Sequence, residues 1–262
     1  MMKKYVYYLF SLVTMLRGYR NWPQLLLLPV GRGERLLRLS NGLHFYVRNL
    51  MDAWIIKESC MDRDYEVHGV PIQAGWTVID IGAGIGEFTL LTAKEHPTCT
   101  LLAYEPFPDS FRLLEKNLAL NRVTSVQAFP LAVAVRAGES VQLSMVGAPV
   151  QHTTTPVADN PAATGSIAVA TTSLQQIFEE NGVERCDFLK IDCEGCEFAL
   201  MLEAPPDILQ RIDRICMEYH ANATPHRVSA LAHHLRTHGF AVKTQVNPVH
   251  KELGFLYASR CD

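Results

Sequence analysis

The chain has 262 residues, of which 48% are hydrophobic and 19% charged, and its formal net charge is −3. This composition excludes disordered, collagen-like and coiled-coil proteins, and it predicts a globular protein with its own hydrophobic core. A charge so near neutrality argues against a general nucleic-acid-binding surface, so we expect no nucleic-acid partner.

The first predicted element is an apolar segment, residues 5–16, which follows Lys3 and Lys4. It is shorter than the roughly 20 residues that a membrane-spanning helix needs. It also lacks the small-residue cleavage site of a signal peptide, so we expect a cytoplasmic protein. Two interpretations of residues 5–28 stay open. They form a helix packed on the domain or on a partner, with a homodimer contact as one form, or an interfacial helix at the inner surface of a membrane.

The rest of the first third predicts an extension in front of the main domain. Two short β-like runs, residues 36–39 and 44–47, flank a Ser-Asn-Gly turn, which predicts a hairpin. The polar, mixed residues 52–68 predict a helix. We therefore divide the chain into an N-terminal extension, residues 1–69, and a main domain, residues 70–262.

From Trp76 onward, predicted strands and helices alternate. The predicted strands are residues 77–81, 100–104, 123–129, 131–135, 140–146, 187–191, 212–219, 240–246 and 253–258. The predicted helices are residues 87–95, 110–120, 174–180, 197–202 and 227–237. This alternation predicts an α/β fold with a mostly parallel sheet covered by helices on both faces. Residues 147–171, rich in Ala, Thr, Pro and Asn, predict a long loop that faces the ligand.

A glycine-rich turn is the strongest local signal. Gly82, Gly84 and Gly86 lie between a buried strand and a helix, where glycines let the backbone approach a ligand closely. Their G-x-G-x-G spacing differs from the G-x-G-x-x-G of dinucleotide-binding proteins. Asp80 precedes the first glycine, where its carboxylate would attract a ligand ammonium group and repel a pyrophosphate.

An acidic residue, Glu105, ends the next strand within the segment Tyr-Glu-Pro-Phe-Pro. A carboxylate at this place accepts hydrogen bonds from two ribose hydroxyls. With the glycine turn and Asp80, it describes S-adenosylmethionine better than NAD. The predicted cofactor-binding residues of the two segments are Asp80, Gly82, Ala83, Gly84, Gly86, Glu87, Phe88, Glu105 and Pro106.

A second acidic group follows a later strand. Asp192 and Glu194 lie just past a buried strand, at the edge where open α/β sheets bind ligands. Glu218 and His220 share one face of the next strand and approach the same edge. His220 or Glu194 is the candidate general base, and Asp192 would orient the cofactor or the acceptor. The rival arrangement is a Mg²⁺ or Mn²⁺ ion on Asp192, Glu194, Glu218 and His220.

The seven cysteines, an odd number, predict unpaired thiols in a reducing compartment. Cys193 and Cys196 form a C-x-x-C pair, but a zinc site would need a second such pair. Carboxylates occupy the turn that a redox pair would need. We therefore interpret both cysteines as core or incidental residues.

Four motifs together resemble a known family, the FkbM-type S-adenosylmethionine-dependent methyltransferases. They are DIGAGIGEFT (80–89), YEPFP (104–108), LKIDCEGCE (189–197) and MEYH (217–220). The resemblance covers roughly residues 70–258, and the last two motifs make it specific. It implies a Rossmann-like class I methyltransferase fold, with a seven-stranded sheet whose last strand is antiparallel. It also implies methylation of a hydroxyl on a sugar, glycan or natural-product acceptor.

The resemblance also implies roles for individual residues. Asp80 and the three glycines would hold the methionine end of S-adenosylmethionine, Glu105 its ribose, and Ala132 or its neighbours its adenine. Asp192 and Glu194 match the acidic motif at the reaction edge. Cys196 departs from the pattern, which more often has a small apolar residue there. An NAD-dependent oxidoreductase and a non-catalytic cofactor-binding scaffold remain as alternatives.

Overall fold

The computed structural model describes residues 2–29, 33–67, 71–146, 163–247 and 249–261. The helices are α1 (Met2–Gly18), α2 (Leu50–Lys57), α3 (Glu87–Glu95), α4 (Pro108–Leu120), α5 (Leu174–Glu180), α6 (Glu197–Leu202), α7 (Pro206–Gln210) and α8 (Val228–Thr237). The strands are β1 (Arg35–Arg38), β2 (His44–Val47), β3 (Thr77–Ile81), β4 (Thr100–Tyr104), β5 (Val126–Phe129), β6 (Ala132–Val133), β7 (Ser140–Val146), β8 (Ala163–Thr172), β9 (Phe188–Ile191), β10 (Arg214–His220), β11 (Phe240–Val246) and β12 (Leu253–Arg260). A 3₁₀-helix covers Trp22–Leu27 and a π-helical turn covers Glu58–Asp62.

The main sheet has seven strands in the order β11-β12-β10-β9-β3-β4-β5. The neighbours from β10 to β5 are parallel, whereas β12 runs antiparallel to both β10 and β11. This order confirms the predicted fold class, a mostly parallel sheet with its last strand antiparallel. Because parallel strands end at one edge, β3, β4, β9 and β10 bring their carboxyl ends to the same side of the sheet.

Both faces of the sheet are covered. Successive strand residues point to opposite faces, so Val78 and Ile79 of β3 enter different parts of the core. Ile79 packs in a cluster with Ile177 of α5 and Phe198 of α6. Val78 packs in another cluster with Phe88 of α3. Coverage on both faces explains why β3 and β9 consist almost entirely of buried residues.

The N-terminal extension shares a core with the helices of the main domain. Phe45 of β2 belongs to the same buried cluster as Leu90 of α3 and Leu114 of α4. β1 and β2 form the predicted antiparallel hairpin. Asn117 of α4 holds this hairpin, since its Oδ1 accepts a hydrogen bond from the Tyr46 N–H at 2.7 Å. The division of the chain into an extension and a domain stays a prediction.

Helix α1 contains the apolar segment and packs on the molecule through one face. The Tyr7 hydroxyl donates to Glu58 Oε1 at 3.1 Å, and the Tyr19 hydroxyl just past the helix donates to the Ala53 carbonyl at 2.6 Å. Within the described ranges, no helix has the length and apolar character that crossing a membrane requires.

One predicted loop was wrong. Residues 163–171 of the loop predicted for 147–171 belong to β8, which ends at Thr172 and pairs with β7 and β6 in a separate three-stranded sheet. The small side chains of this segment hide the strand in the sequence, and pairing with β7 covers them by placing Val169 in a cluster with Leu143. The rest of the predicted loop, residues 147–162, lies outside the described residues.

The helix predicted over 52–68 was too long, because α2 ends at Lys57, the π-helical turn after it ends at Asp62, and Arg63 adopts a left-handed conformation. The other predicted elements are confirmed, with shifted boundaries. The strand predicted over 123–129 begins at Val126, and the one predicted over 131–135 contains only Ala132 and Val133. Helix α4 begins two residues earlier than predicted, at Pro108, because proline fits the first turn of a helix.

Candidate active site

The glycine turn after β3 has a shape that other residues could not adopt. Gly82 has a φ of +74°, and a Cβ there would lie 1.8 Å from the carbonyl oxygen of Asp192. Its N–H donates to the Tyr104 carbonyl at 2.9 Å. Gly86, with a φ of +92°, begins α3, where a Cβ would meet Leu114 Cδ1 at 2.6 Å. The turn is therefore held against three neighbouring elements.

Glu105 closes the turn from the end of β4. Its Oε2 accepts a hydrogen bond from the Gly84 N–H at 2.8 Å, and its Oε1 accepts one from the Phe107 N–H at 2.8 Å. Burial raises the pKa of Glu105 to about 7, although both N–H donors favour the charged form. The carboxylate thus stands at the strand end where the sequence predicts a ribose contact.

Asp80 lies beneath the turn and does not line the cavity. Its side chain is 1% exposed, its Oδ1 is 3.0 Å from Lys190 Nζ, and its Oδ2 accepts from the Thr89 hydroxyl at 2.5 Å. Lys190 is fully buried and also donates to the Gly82 carbonyl at 2.5 Å. Asp80 therefore holds the turn through Lys190, and the structure does not place it where we expect it to meet a ligand ammonium group.

Glu87, the first residue of α3, places a carboxyl group in the cavity instead. It lines the cavity, is 5% exposed, and its Oε2 has no hydrogen-bond partner among the described residues. Burial raises the pKa of Glu87 to about 8, against the lowering effect of the Lys190 ammonium group. A buried carboxyl group at a cavity wall, with one oxygen lacking a hydrogen-bond partner, fits the ammonium group of a ligand.

A cavity of about 730 Å³ runs along the carboxyl edge of the sheet. Ligand pockets in proteins commonly measure roughly 300–1,000 Å³. The carboxylate residues that line it are Glu58, Asp64, Glu87, Glu105, Asp192, Glu194, Glu218 and Glu252. Because a nearby positive charge favours the ionised form of such acids, this lining is complementary to a cationic ligand.

The cavity brings together most of the residues predicted from the sequence. Those that line it are Gly82, Gly84, Glu87, Glu105, Pro106, Ala132, Asp192, Glu194, Glu218 and His220. Four others, Asp80, Ala83, Gly86 and Phe88, do not line it. Phe88 instead stacks on Phe188, with ring centroids 5.8 Å apart. These four residues shape the turn from within the core.

His220, at the end of β10, contacts a carboxylate through each of its two ring nitrogens. Its Nε2 is 3.2 Å from Glu194 Oε2, and its Nδ1 is 2.9 Å from Glu197 Oε1. Burial alone would lower the pKa of His220, but the hydrogen bond to Glu197 and the charge of Glu194 raise it to about 10. The imidazole is therefore protonated at neutral pH. Of the two predicted bases, these interactions favour Glu194.

Glu194 lies between β9 and α6, with 35% of its side chain facing the cavity. Its φ of +53° is uncommon for a residue with a Cβ. Burial raises the pKa of Glu194 to about 7, with His220 lowering the pKa and Asp192 raising it. A carboxylate that titrates near neutral pH and reaches a cavity can accept a proton there.

The turn that contains Glu194 is closed by a disulfide between Cys193 and Cys196, which corrects the prediction that both are unpaired. The left-handed Glu194 and Gly195, with a φ of +121°, bring the two Cα atoms to 5.6 Å, within the range for a disulfide. The free cysteines are Cys60, Cys99, Cys186, Cys216 and Cys261.

One group of side chains brings possible metal-ligating atoms close together. Donor atoms of Asp192, Glu197 and His220 lie within 4.8 Å of one another. They do not fit a divalent cation, because both ring nitrogens of His220 already contact carboxylates and Lys190 Nζ lies 4.0 Å from Asp192 Oδ2. Glu194 and Glu218, two members of the predicted metal set, are not in this group. We therefore derive no step through a metal.

Sequence reasoning missed three residues that hold the acidic edge in place. Lys190 has a signal, since a lysine within a buried apolar strand requires an acidic partner. Glu197 is fully buried and has no local signal for its contact with His220. Tyr65 donates to Asp192 Oδ2 at 2.7 Å across 127 residues of sequence, a contact that only the fold creates.

The extension forms the opposite wall of the cavity. Tyr7 and Tyr8 of α1 line it together with Trp54 of α2. The Tyr8 and Trp54 ring centroids are 5.8 Å apart, and those of Tyr7 and Trp54 are 6.1 Å apart. Trp54 Nε1 donates to Glu58 Oε1 at 2.7 Å. These three aromatic side chains, called the aromatic wall below, therefore line the same cavity as the acidic sheet edge, with Glu58 hydrogen-bonded to Trp54.

The model of the methyltransferase FkbM domain matches residues 80–254, more than half of the chain. This chain belongs to the FkbM methyltransferase family. An FkbM relative, the 31-O-demethyl-FK506 methyltransferase of Streptomyces tacrolimicus, is 29% identical over 240 residues, which cover 81% of this chain and 91% of that protein.

Two further proteins are similar to this chain. The hexuronic acid methyltransferase AglP of Haloferax volcanii is 24% identical over 185 residues, 69% of each protein. The crystal structure of methyltransferase FkbM from Methylobacillus flagellatus KT matches with a TM-score of 0.51 at 11% identity. That match covers 80% of this chain and 54% of that one, so this chain spans about half of that structure, and the likeness shows the fold alone.

Membership in the FkbM family identifies the chain as a methyltransferase and implies S-adenosylmethionine as the methyl donor. The family match gives no support to the alternative of an NAD-dependent oxidoreductase. The glycine spacing and the acidic cavity agree with this outcome, since a pyrophosphate would meet Glu87 and Glu105.

Proposed function

We propose that this FkbM-family protein methylates a hydroxyl group of a sugar, glycan or other natural-product acceptor. The observation that carries the proposal is Glu194, a carboxylate with a pKa near 7 that faces the same cavity as the cofactor motifs. The names of two relatives support the acceptor class, since one acts on 31-O-demethyl-FK506 and the other on hexuronic acid.

The cofactor end of the cavity fits S-adenosylmethionine. The main chain at Gly82 and Gly84 allows close approach, Glu87 would pair with the ammonium group, and Glu105 would accept the ribose hydroxyls. Pro106 and Ala132 line the same end and would flank the adenine. When bound, S-adenosylmethionine supplies a methyl group that its sulfonium already makes electrophilic.

The protein's own part is to align the acceptor hydroxyl and to remove its proton. We assign Glu194 as the base that accepts this proton while the hydroxyl oxygen takes the methyl group. His220 is a positioning residue, since its protonated ring holds Glu194 while Glu197 holds the ring. Asp192, fixed by Tyr65, would orient the acceptor or the cofactor. General-base catalysis of this kind typically contributes about 10²–10⁴-fold.

The aromatic wall supports a hydroxylated ring as the acceptor. The faces of Tyr8 and Trp54 can cover the apolar side of such a ring, while its hydroxyls donate to nearby carboxylates such as Glu58. Methyl transfer to a hydroxyl between this wall and Glu194 is the reaction that the arrangement favours.

The experiment is turnover with methyl-labelled S-adenosylmethionine and fractionated cell extracts, followed by mass spectrometry and NMR of the labelled product. We expect an O-methyl product, with kcat about 10²–10⁴-fold lower for Glu194→Gln. The control, Glu203→Gln, changes an exposed carboxylate at the end of α6 and should keep wild-type kcat.

Ligand binding is measured separately by thermal shift. S-adenosylhomocysteine should stabilise both the wild type and Glu194→Gln, and NADH should stabilise neither. A labelled nitrogen or carbon instead of oxygen, or full activity of Glu194→Gln, would contradict the proposal. Binding of S-adenosylhomocysteine without turnover on any fraction would support the non-catalytic scaffold instead.

A further inference from the structure

Helix α1 presents an apolar face to the outside of the molecule. Leu9 is 63% exposed and Phe10 69%, and Tyr5 is 69% exposed near the start of the helix. The other large apolar side chains exposed on α1 are Val6, Tyr8, Leu12, Val13 and Leu16. Exposed apolar surface of this extent on one helix marks an interaction site.

The inward face of α1 is fixed by small and polar residues. Tyr7, Ser11 and Gly18 follow one another at helical spacing on this face. Ser11 is buried, and a Cβ on Gly18 would lie 2.2 Å from Met61 Sδ. With the hydrogen bond from Tyr7 to Glu58, these contacts prevent the helix from turning its apolar face inward.

Basic residues are concentrated in the N-terminal segment that contains this apolar face, and acidic residues lie in the rest of the chain. The first 33 residues contain five Lys and Arg residues and no Asp or Glu, whereas the remaining residues contain 19 basic and 27 acidic residues, a net charge of −8. Arg17 and Arg20, at the end of α1, are exposed. A positive segment on an otherwise negative protein is complementary to an anionic surface.

The apolar face continues to the rim of the cavity. Tyr8, Leu50 and Met51 are exposed, and all three also line the cavity. The residues that would enter an apolar phase are therefore next to the aromatic wall that faces Glu194. Trp22, Leu26 and Leu27, in the 3₁₀-helix that follows α1, add further exposed apolar side chains.

We propose that α1 lies in the interface of an anionic lipid bilayer, with its apolar face at the headgroup–acyl boundary and its arginines at the phosphates. The mouth of the cavity then opens at the membrane surface. Together with the function proposed above, on which this step rests, the position of the cavity implies that the methylated hydroxyl belongs to an acceptor carried by a lipid.

The test is cosedimentation of the full chain with vesicles of phosphatidylcholine, or of phosphatidylcholine with phosphatidylglycerol, in low and high salt. We expect binding to the anionic vesicles, weakened by salt, and at least tenfold weaker for Leu9→Glu/Phe10→Glu. A matched control, Val67→Glu/Val246→Glu, adds the same charge at exposed apolar positions outside α1 and should bind like the wild type. Arg17→Gln/Arg20→Gln should lose the preference for anionic vesicles.

Two outcomes would overturn the proposal that α1 binds a bilayer. One is equal sedimentation of the wild type and Leu9→Glu/Phe10→Glu with anionic vesicles. The other is a dimer in size-exclusion chromatography that depends on Leu9 and Phe10, together with no binding to vesicles. Stabilisation by S-adenosylhomocysteine, measured on each variant, shows that the fold and the cofactor site are intact. Vesicle binding can therefore fail while cofactor binding and turnover persist, and the two proposals fail separately.

Discussion

The two ends of the cavity are built by different kinds of contact. At the cofactor end, hydrogen bonds and ion pairs join neighbouring strand ends, as in the contacts from Glu105 to Gly84 and from Lys190 to Gly82. At the acceptor end, aromatic side chains of α1 and α2 approach from the extension. The family match, residues 80–254, contains the first end and leaves out the second.

This difference means that one end of the cavity would serve the chemistry of methyl transfer and the other the choice of acceptor. Buried charges hold the cofactor end, so substitutions there disturb the fold and the methyl donor together. The aromatic wall lies on helices outside the parallel sheet, so it can change without moving Glu105 or Glu194. We expect the acceptor to be selected at this end. Variants at each end should therefore fail in different ways.

The largest effect should come from Lys190→Met at the cofactor end. It leaves the buried carboxylate of Asp80 without its cation, which should lower the free energy of unfolding by about 3–5 kcal/mol. Urea unfolding measures this change. Lys243→Met, on the exposed side of β11, should change stability by less than about 0.5 kcal/mol. Equal stability of the two variants would show that the ion pair does not hold this end.

The pH dependence of the rate tests Glu194, the proposed base, which lies between the two ends of the cavity. Because the pKa of Glu194 in the free protein is about 7, kcat/KM should rise with pH through neutrality as the carboxylate loses its proton. His220→Asn removes the positive charge that lowers this pKa, so the rising limb should move to higher pH. The limb should be absent in Glu194→Gln, and its persistence there would assign it to another group.

The affinity for the cofactor should depend on Glu87. Glu87→Gln should weaken S-adenosylhomocysteine binding by roughly 10–150-fold in isothermal titration calorimetry, because it removes a charge-assisted hydrogen bond. The pKa of Glu87, about 8 in the free protein, also fixes the direction in which affinity changes with pH. Wild-type affinity should rise with pH through about 8, since the ammonium group binds the ionised form. Glu115→Gln, an exposed change on α4, should keep the wild-type affinity and pH dependence.

The smallest effect should lie at the acceptor end. Trp54→Ala should raise the acceptor KM by roughly 2–12-fold, the value of an aromatic contact of about 0.5–1.5 kcal/mol. Stabilisation by S-adenosylhomocysteine should not change. Phe10→Ala, on the outward face of α1, should keep the wild-type KM for a water-soluble acceptor. A loss of cofactor binding in Trp54→Ala would show that the two ends are not independent.

Local patterns were enough for much of the cofactor end. The strand over residues 77–81, the helix over 87–95 and the position of Glu105 are confirmed because each depends on nearby apolar spacing, glycines and strand ends. The strand β8 was missed because its small residues become a strand only by pairing with β7. The pairing of Cys193 with Cys196 was missed because it depends on the left-handed turn between them.

The sequence by itself determined the parallel sheet, the glycine turn and the collection of acids at one edge. These follow from buried apolar runs and from strand direction, which neighbouring residues dictate. Only the tertiary structure decided which acid is free to act. Lys190, 108 residues after Gly82, pairs with Asp80, and His220 contacts Glu194. Oε2 of Glu87 has no hydrogen-bond partner among the described residues. A pKa and an exposed face depend on what surrounds a group in space, and no local pattern carries that information.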